Sequence, residues 1–281
     1  MSIQIDHLYF TYLKNTSLQV EALQDVNLTI NDGEFVALVG ETGSGKSTLV
    51  QHLNGLLLPN EGTIKIDDFT ITNKKRHNKH IKDIRKKVGL IFQFPEYQLF
   101  EETVEKDVAF GPKNFGVSEE EAIEIAHKYL KLVGIKESYY QRSPFELSGG
   151  ERRKVAIAGI LALENDVLIL DEPTSGLDRE SSKEIMRIVD KLHKQGKTII
   201  IVTHDMYLVM KFASRVILMK DGKVEFNGSP IEAFTNKVIE PPELLDFAMK
   251  LNAKGYNIPL ENIHGSKDLF PYLIRNKKWV R

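Results

Sequence analysis

No cysteine occurs in this chain of 281 residues. Disulfides, thiol nucleophiles and cysteine-ligated metal sites are therefore excluded. Long apolar runs are missing too. The longest, Val155 to Leu163, falls far short of the roughly 18 residues that a membrane-crossing helix needs. Neither sign of charge is in excess: 38 Lys and Arg face 39 Asp and Glu, for a net charge of -1 and a pI near 6.7. Such a balance gives no global attraction to nucleic acid, which is not an expected partner. Met1 to Asp6 reads directly as a strand, so no signal peptide is expected. The hydrophobic fraction, 42%, suffices for one large packed domain plus an appendage. The expected location is the cytoplasm, with any service to a membrane done from its surface through a partner.

What the chain does have is a phosphate-binding loop. Residues 40–48 read Gly-Glu-Thr-Gly-Ser-Gly-Lys-Ser-Thr. They follow the apolar run Phe35 to Val39 and precede a helical pattern near Leu49, which is the strand, turn and helix setting of a P-loop. Gly40, Gly43 and Gly45 let the backbone approach phosphate with no Cβ in the way. Backbone N–H groups from Gly40 through Thr42, Ser44 and Thr48 then face the phosphate oxygens. Lys46 can reach the β- and γ-phosphates, and the Ser47 hydroxyl can bind Mg²⁺. These residues imply a nucleoside triphosphate ligand.

Other segments fit a hydrolase. Val167 to Leu170 is a buried strand that ends in Asp171 and Glu172. Function gathers at the carboxyl ends of such strands, where Asp171 suits a Mg²⁺ shell and Glu172 suits activating a water. A second apolar run, Thr198 to Val202, leads to His204. Ser148-Gly149-Gly150-Glu151 opens a helical run with a capping box, and its glycines allow an anion to come close. Two phosphate-facing helix starts in one chain suggest a site shared between two chains. Strands alternate with helices, so the expected fold is an α/β core with a parallel sheet. Residues 93–163 read as a helical insertion, and residues from about 236 as a tail.

Taken in order, these motifs resemble the nucleotide-binding subunit of an ATP-binding cassette (ABC) transporter over roughly residues 3–230. The resemblance implies a P-loop NTPase (RecA-like) core with an antiparallel β subdomain and an inserted helical subdomain. It makes 1–235 the ATPase domain and 236–281 a C-terminal extension. Gly40–Thr48 match the Walker A loop, Gln93 the Q-loop glutamine, and Val167–Glu172 Walker B. Ser148, Gly149, Gly150 and Glu151 match the signature, where glutamine normally stands in place of Glu151. Ser175, Gly176, Leu177 and Asp178 match the D-loop, and His204 the switch histidine. Tyr12 sits where the family places an adenine-stacking aromatic, with Tyr9 and Phe10 as fallbacks. By this resemblance ATP and Mg²⁺ are the cofactors, with Ser47, Gln93 and Asp171 toward the metal. Glu172, His204, Lys46 and Gln93 are the implied catalytic groups, and the signature serves ATP bound to a second ATPase.

Two segments narrow the class. Phe92 to Phe100 with Thr103 to Gly116, and Ser143-Pro144-Phe145 running into the signature and on to Gly159, resemble the ATPases of energy-coupling factor (ECF) importers of vitamins or transition-metal ions. The P-loop and the Ser-Pro-Phe look more like the second, A-prime, ATPase. The implied partners are a sister ATPase or a second copy, a membrane scaffold T protein and a substrate-binding S protein, met at the cytoplasmic face of a bacterial membrane as a peripheral subunit. The alternatives are another ABC transporter ATPase or a soluble ABC ATPase of DNA repair or translation. Glu101, Glu102, Glu105 and Asp107 sit where the family's scaffold arginines dock, and they equally suit an acidic first helical turn. The basic stretch from Lys74 to Lys87 reads as a solvated face, with attraction to anionic lipid headgroups as the alternative. The tail, with Leu244, Leu245, Phe247, Ala248 and Leu251 and then Phe270 to Trp279, suits packing on its own domain or, by the resemblance, on a partner ATPase.

Overall fold

The computed structural model describes residues 2–74 and 78–275, the side chain of Arg275 excepted. Lys75, Arg76 and His77 of the basic stretch and Trp279 of the tail lie outside the described residues. The first part of the chain runs β1 (Ile3–Tyr12), β2 (Val20–Ile30), β3 (Phe35–Val39), α1 (Lys46–Leu53), β4 (Glu61–Ile66), β5 (Phe69–Ile71), α2 (Ile81–Lys87) and β6 (Val88–Ile91). Then come α3 (Val104–Asn114), α4 (Glu119–Leu132) and α5 (Gly149–Leu161). The second half runs β7 (Val167–Asp171), α6 (Arg179–Lys194), β8 (Thr198–Val202), α7 (Met206–Phe212), β9 (Arg215–Lys220) and β10 (Lys223–Gly228). Last are α8 (Pro230–Thr235), α9 (Glu243–Ala253) and α10 (Ser266–Arg275).

The main sheet has the order β10-β9-β3-β8-β7-β6. Its strands pair in parallel except at the β9–β10 hairpin, which turns at Asp221 and Gly222 as expected. Burial on both faces explains why β3, β7 up to Leu170 and β8 from Ile199 are apolar. The period of two along each strand divides their side chains between two cores. Phe35, Ala37 and Val39 point into one core, together with Leu168, Leu170, Ile199 and Ile201. Val36 and Leu38 point into the other, with Val167, Ile169, Ile200 and Val202. That second core is roofed by the antiparallel sheet β2-β1-β4-β5 and by α1. The architecture is the α/β core with an antiparallel sheet and a helical insertion that the sequence predicts.

Helices α3, α4 and α5 form the insertion, and their inner faces join the first core through Val104, Val108, Ala122, Ala126, Leu130, Val155 and Ala158. Local capping starts each of them. Thr103, Ser118 and Ser148 each accept a backbone N–H from three residues further on.

Two expectations about side-chain roles change here. In the acidic cluster, Glu105 is buried and binds His127 Nε2 at 2.8 Å and Gln141 Nε2 at 2.6 Å. Asp107 Oδ2 accepts the backbone N–H groups of Phe100 and Glu101, both at 2.9 Å. These two carboxylates are consumed inside the fold, because α3 and its preceding turn need acceptors there. Glu102 remains exposed and paired with Lys106 at 3.0 Å. In the tail, Leu245, Ala248, Leu251, Ile258, Ile263 and Leu269 are buried in the chain's own first core. The tail's inner face therefore packs on its own domain, while Phe247, Phe270 and Ile274 stay exposed.

Candidate nucleotide-binding and hydrolysis site

The site is built where β3, β7 and β8 end side by side. Pairing of β3 with β8 and of β8 with β7 aligns the carboxyl ends of all three. The P-loop, the Asp171–Glu172 pair and His204 follow directly from those ends, so they converge on one cavity of about 560 Å³. Tyr12, Thr42, Gly43, Gly45, Lys46, Ser47, Thr48, Gln93, Asp171, Glu172, Ser175 and His204 line it.

Helix α1 begins at Lys46, three residues before the apolar periodicity declares itself, because Gly45 at φ +99 turns the chain into it. A Cβ at Gly45 would stand 2.5 Å from the Ala22 carbonyl oxygen, and one at Gly40 would stand 2.2 Å from that of Met219. Only glycine fits at either place, with positive φ at both. No side chain caps α1. Its first N–H groups and its dipole are thus available to an anion. Ser44 is buried behind the loop, and the Lys46 ammonium donates to the carbonyls of Gly40 and Glu41, both at 2.7 Å. Burial lowers the Lys46 pKa, and the charges of Glu172 and Asp171 work against that shift.

Across the cavity, Ser47 Oγ donates to Asp171 Oδ2 at 2.9 Å. This hydroxyl–carboxylate pair is the donor set that Mg²⁺ takes alongside phosphate oxygens and waters. Among the described residues no cluster of three or more His, Asp or Glu forms a self-sufficient metal cage. The Ser47–Asp171 pair fits an ion that shares its remaining ligands with a nucleotide. Burial raises the pKa of Asp171. It does the same for Glu172, with the Asp171 charge adding and His204 and Lys46 opposing. A carboxylate pushed up in this way is a stronger base.

Glu172 has φ +48, a left-handed conformation costly for a residue with a Cβ. Its N–H donates to the Val202 carbonyl at 2.9 Å, which holds it at the end of β7 against β8. Its Oε1 is buried with no hydrogen bond formed, although His204 Nε2 lies 3.4 Å away. Glu172 lines the cavity, so its carboxylate is placed to take a proton from a water there. Gln93 reaches the same wall and donates to Ser175 Oγ at 3.5 Å.

The sequence-predicted residues separate into two groups. Thr42, Gly43 and Gly45 to Thr48 of the P-loop meet Gln93, Asp171, Glu172, Ser175 and His204 at the cavity, whereas Gly40 and Ser44 do not line it. Ser148, Gly149, Gly150 and Glu151 do not line it; they stand at the start of α5. Gly176, Leu177 and Asp178 lead away from it, Asp178 accepting the N–H groups of Glu180 and Ser181 at the start of α6. Of the three aromatic candidates, Tyr12 is at the cavity with its hydroxyl 3.2 Å from Thr48 Oγ1. Phe10 is buried edge-on to Tyr12 and His52, and Tyr9 faces a different pocket. Val20, Glu21 and Ala22 also line the cavity, which the sequence reading did not foresee. The signal was the β1–β2 pairing, which sets Val20 opposite Tyr12.

Comparison with known proteins agrees with this geometry. The ABC transporter family profile matches residues 23–175. The energy-coupling factor transporter ATP-binding protein EcfA2 of Enterococcus faecalis is 53% identical, over 92% of this chain and 91% of its own. That of Spiroplasma kunkelii is 45% identical over 100% of this chain and 94% of its own. Among solved structures, cbiO1 from Clostridium perfringens, part of the ABC transporter complex cbiONQ, superimposes with a TM-score of 0.73 at 37% identity, covering 90% of this chain and 96% of that one. A dimeric post-hydrolysis state of the ATP-binding cassette MJ0796 bound to ADP and Pi gives 0.72 at 34% identity, covering 81% of this chain and 98% of that one. The relatives carry the name of the second ECF ATPase, in agreement with the A-prime expectation. With the fold, the convergent site and these likenesses together, the chain belongs to the ABC transporter family, in its branch of energy-coupling factor transporter ATP-binding proteins.

Proposed function

We propose that this chain binds ATP with Mg²⁺ and hydrolyses it as the A-prime motor subunit of an ECF-type importer of vitamins or transition-metal ions. The observation that carries the proposal is the meeting of Lys46, Asp171, Glu172 and His204 on one cavity at the ends of three neighbouring strands. The P-loop amides and Lys46 bind the phosphates, and Tyr12 with Val20 and Ala22 receives the adenine. Ser47 and Asp171, with Gln93 nearby, hold Mg²⁺, which offsets phosphate charge when bound. Glu172 accepts the proton of the attacking water, and His204 holds that water in line with the γ-phosphate.

The signature residues Ser148 to Glu151 stand outside this cavity, which fits their serving ATP held by a second ABC ATPase. In this reading residues 1–235 act as the ATPase domain and 236–281 as its extension. The chain works at the cytoplasmic face of the membrane, attached through T and S proteins. No described helix is long and apolar enough to cross a membrane. Exposed Phe94, Tyr97, Phe100 and Phe110, with Glu101 and Glu102 beside them, supply a surface for the scaffold next to Gln93.

The test is to capture the tagged chain from detergent-solubilised membranes and identify what comes with it by mass spectrometry. A non-identical ABC ATPase, a T-like scaffold and small S-like proteins are expected. A homodimer on two large permease subunits moves the assignment to an ordinary ABC transporter. Ribosomal or DNA-repair partners without a membrane protein overturn the transport role.

A further inference from the structure

Arg153 is the largest fully buried side chain among the described residues, at 2% exposure. A charge there must be matched on all its faces, since an unmatched buried guanidinium is strongly unfavourable. Its partners come from two segments outside its own helix. Nε and Nη2 donate to the two carboxylate oxygens of Glu96, at 2.9 and 2.8 Å. Nη1 donates to the Ser175 carbonyl at 2.5 Å and lies 3.5 Å from that of Pro173. The guanidinium also sits over the Phe94 ring, 5.5 Å from its centre. Burial opposes ionisation of Glu96, and the hydrogen bonds and charge of Arg153 overcome it, leaving the carboxyl below its usual range.

The geography of these bonds is the point. Glu96 follows Gln93 by three residues, in a short turn (Pro95–Gln98) entered through Phe94 at φ +58. Pro173 and Ser175 follow Glu172 directly, and Ser175 Oγ is the acceptor for Gln93. Arg153 lies in the first turns of α5, just past Ser148 to Glu151. One rigid, planar group with five donors thus joins three functional segments from different parts of the chain. A lysine presents a single ammonium and cannot make the fork to Glu96 while serving two carbonyls.

We propose that Arg153 is a positioning residue that locks the Gln93 segment and the Glu172–Ser175 segment to the start of α5, so that a shift at one is passed to the others. This rests on the functional reading above for its consequence, though not for its geometry. Arg153 touches neither the nucleotide cavity nor the reacting atoms. It acts through Gln93, Ser175 and the Ser148 helix start.

Glu96→Gln in the full chain is the first test, because it keeps the shape of the partner and removes its charge. Among the described contacts, the polar link from Glu96 to residues 173–178 runs through Arg153. Amide hydrogen exchange is therefore expected to rise by about threefold or more both at 94–98 and at 173–178. A rise confined to 94–98, or none, overturns the proposal. In the assembled transporter the same variant is expected to lose about fivefold or more in ATP turnover while ATP affinity stays within about twofold, a split that general destabilisation does not produce. Unchanged turnover also overturns it. Arg153→Lys is expected to repeat both results, and the Glu96→Gln and Arg153→Lys double variant to be no worse than the weaker single one, since both break one bridge. If Arg153→Lys does not fold, Glu96→Gln decides alone. A wild-type complex without ATPase activity refutes the functional reading, and the exchange result still decides the bridge.

Discussion

Two glycine-rich helix starts in this chain look alike in sequence and end differently in the fold. Helix α1 follows Gly43-Ser44-Gly45 and has no side-chain cap. Helix α5 follows Ser148 and closes a full capping box: Ser148 Oγ accepts the Glu151 N–H, while Glu151 Oε2 accepts from Ser148 N at 3.0 Å and from Ser148 Oγ at 2.7 Å. The first start leaves its N–H groups to an external anion; the second satisfies part of its own demand. Hydrogen bonds from Ser148 hold the Glu151 carboxyl below its usual range, so α5 begins with a fixed negative charge. Within one chain, a glycine-rich turn before a helix therefore does not by itself complete a nucleotide cavity. The strand ends around it decide, because only α1 has Asp171, Glu172 and His204 facing it.

The contrast can be broken at its strongest point first. Glu172→Gln at the α1 site is expected to lower ATP turnover by ~10²–10⁴, the usual contribution of a general base, with ATP binding retained. Turnover close to wild type in a steady-state phosphate-release assay would remove Glu172 as the base. Next comes Lys46→Ala, expected to weaken ATP binding by on the order of 10–100-fold, about 1.5–3 kcal/mol for hydrogen bonds to a charged group. Calorimetric titration of ATP into the chain measures it. At the other helix start, Ser148→Ala is expected to leave ATP binding by the isolated chain unchanged. Its cost is stability, about 1 kcal/mol for a lost cap, read from urea unfolding. Equal losses of binding in both variants would erase the distinction between the two starts.

The smallest effect concerns stability and pH. Because burial raises the folded-state pKa of Glu172, its protonated form is favoured by folding. That contribution is complete below the unfolded pKa and is lost as pH rises through the raised folded value. Where Glu172 is ionised, the nucleotide-free chain carries a disfavoured buried carboxylate, so Glu172→Gln is expected to raise its melting temperature. The gain should shrink as pH falls toward the carboxylate range. A gain independent of pH would show that ionisation of Glu172 is not its source. Turnover of the wild type should likewise lose its base at a pH above the ordinary glutamate value of about 4.3.

Much of the fold was legible because its signals are local. The apolar runs of β3, β7 and β8 had to be strands buried on both faces, and each ended in chemistry. Gly40 and Gly45 announced tight backbone approaches, which Met219 and Ala22 now account for. Less legible was anything set by contacts between distant residues. The acidic run 101–107 reads as one surface cluster, yet Glu105 is buried against His127 and Gln141 while Glu102 remains in solvent. Periodicity in α9 marked an apolar face without saying what it covers. The wall formed by Val20, Glu21 and Ala22 came from strand pairing that no motif encodes.

The sequence by itself determined the P-loop, the carboxylate pair at the end of β7, His204 after β8 and the cap of α5. Each of these depends on backbone sterics and hydrogen bonds within a few residues of chain. Tertiary structure alone decided which aromatic ring reaches the cavity, where the tail packs, and that Arg153 meets Glu96 across a sequence separation of 57. Those outcomes depend on which distant groups burial forces together, and the cost of an unpaired buried charge then selects the partner.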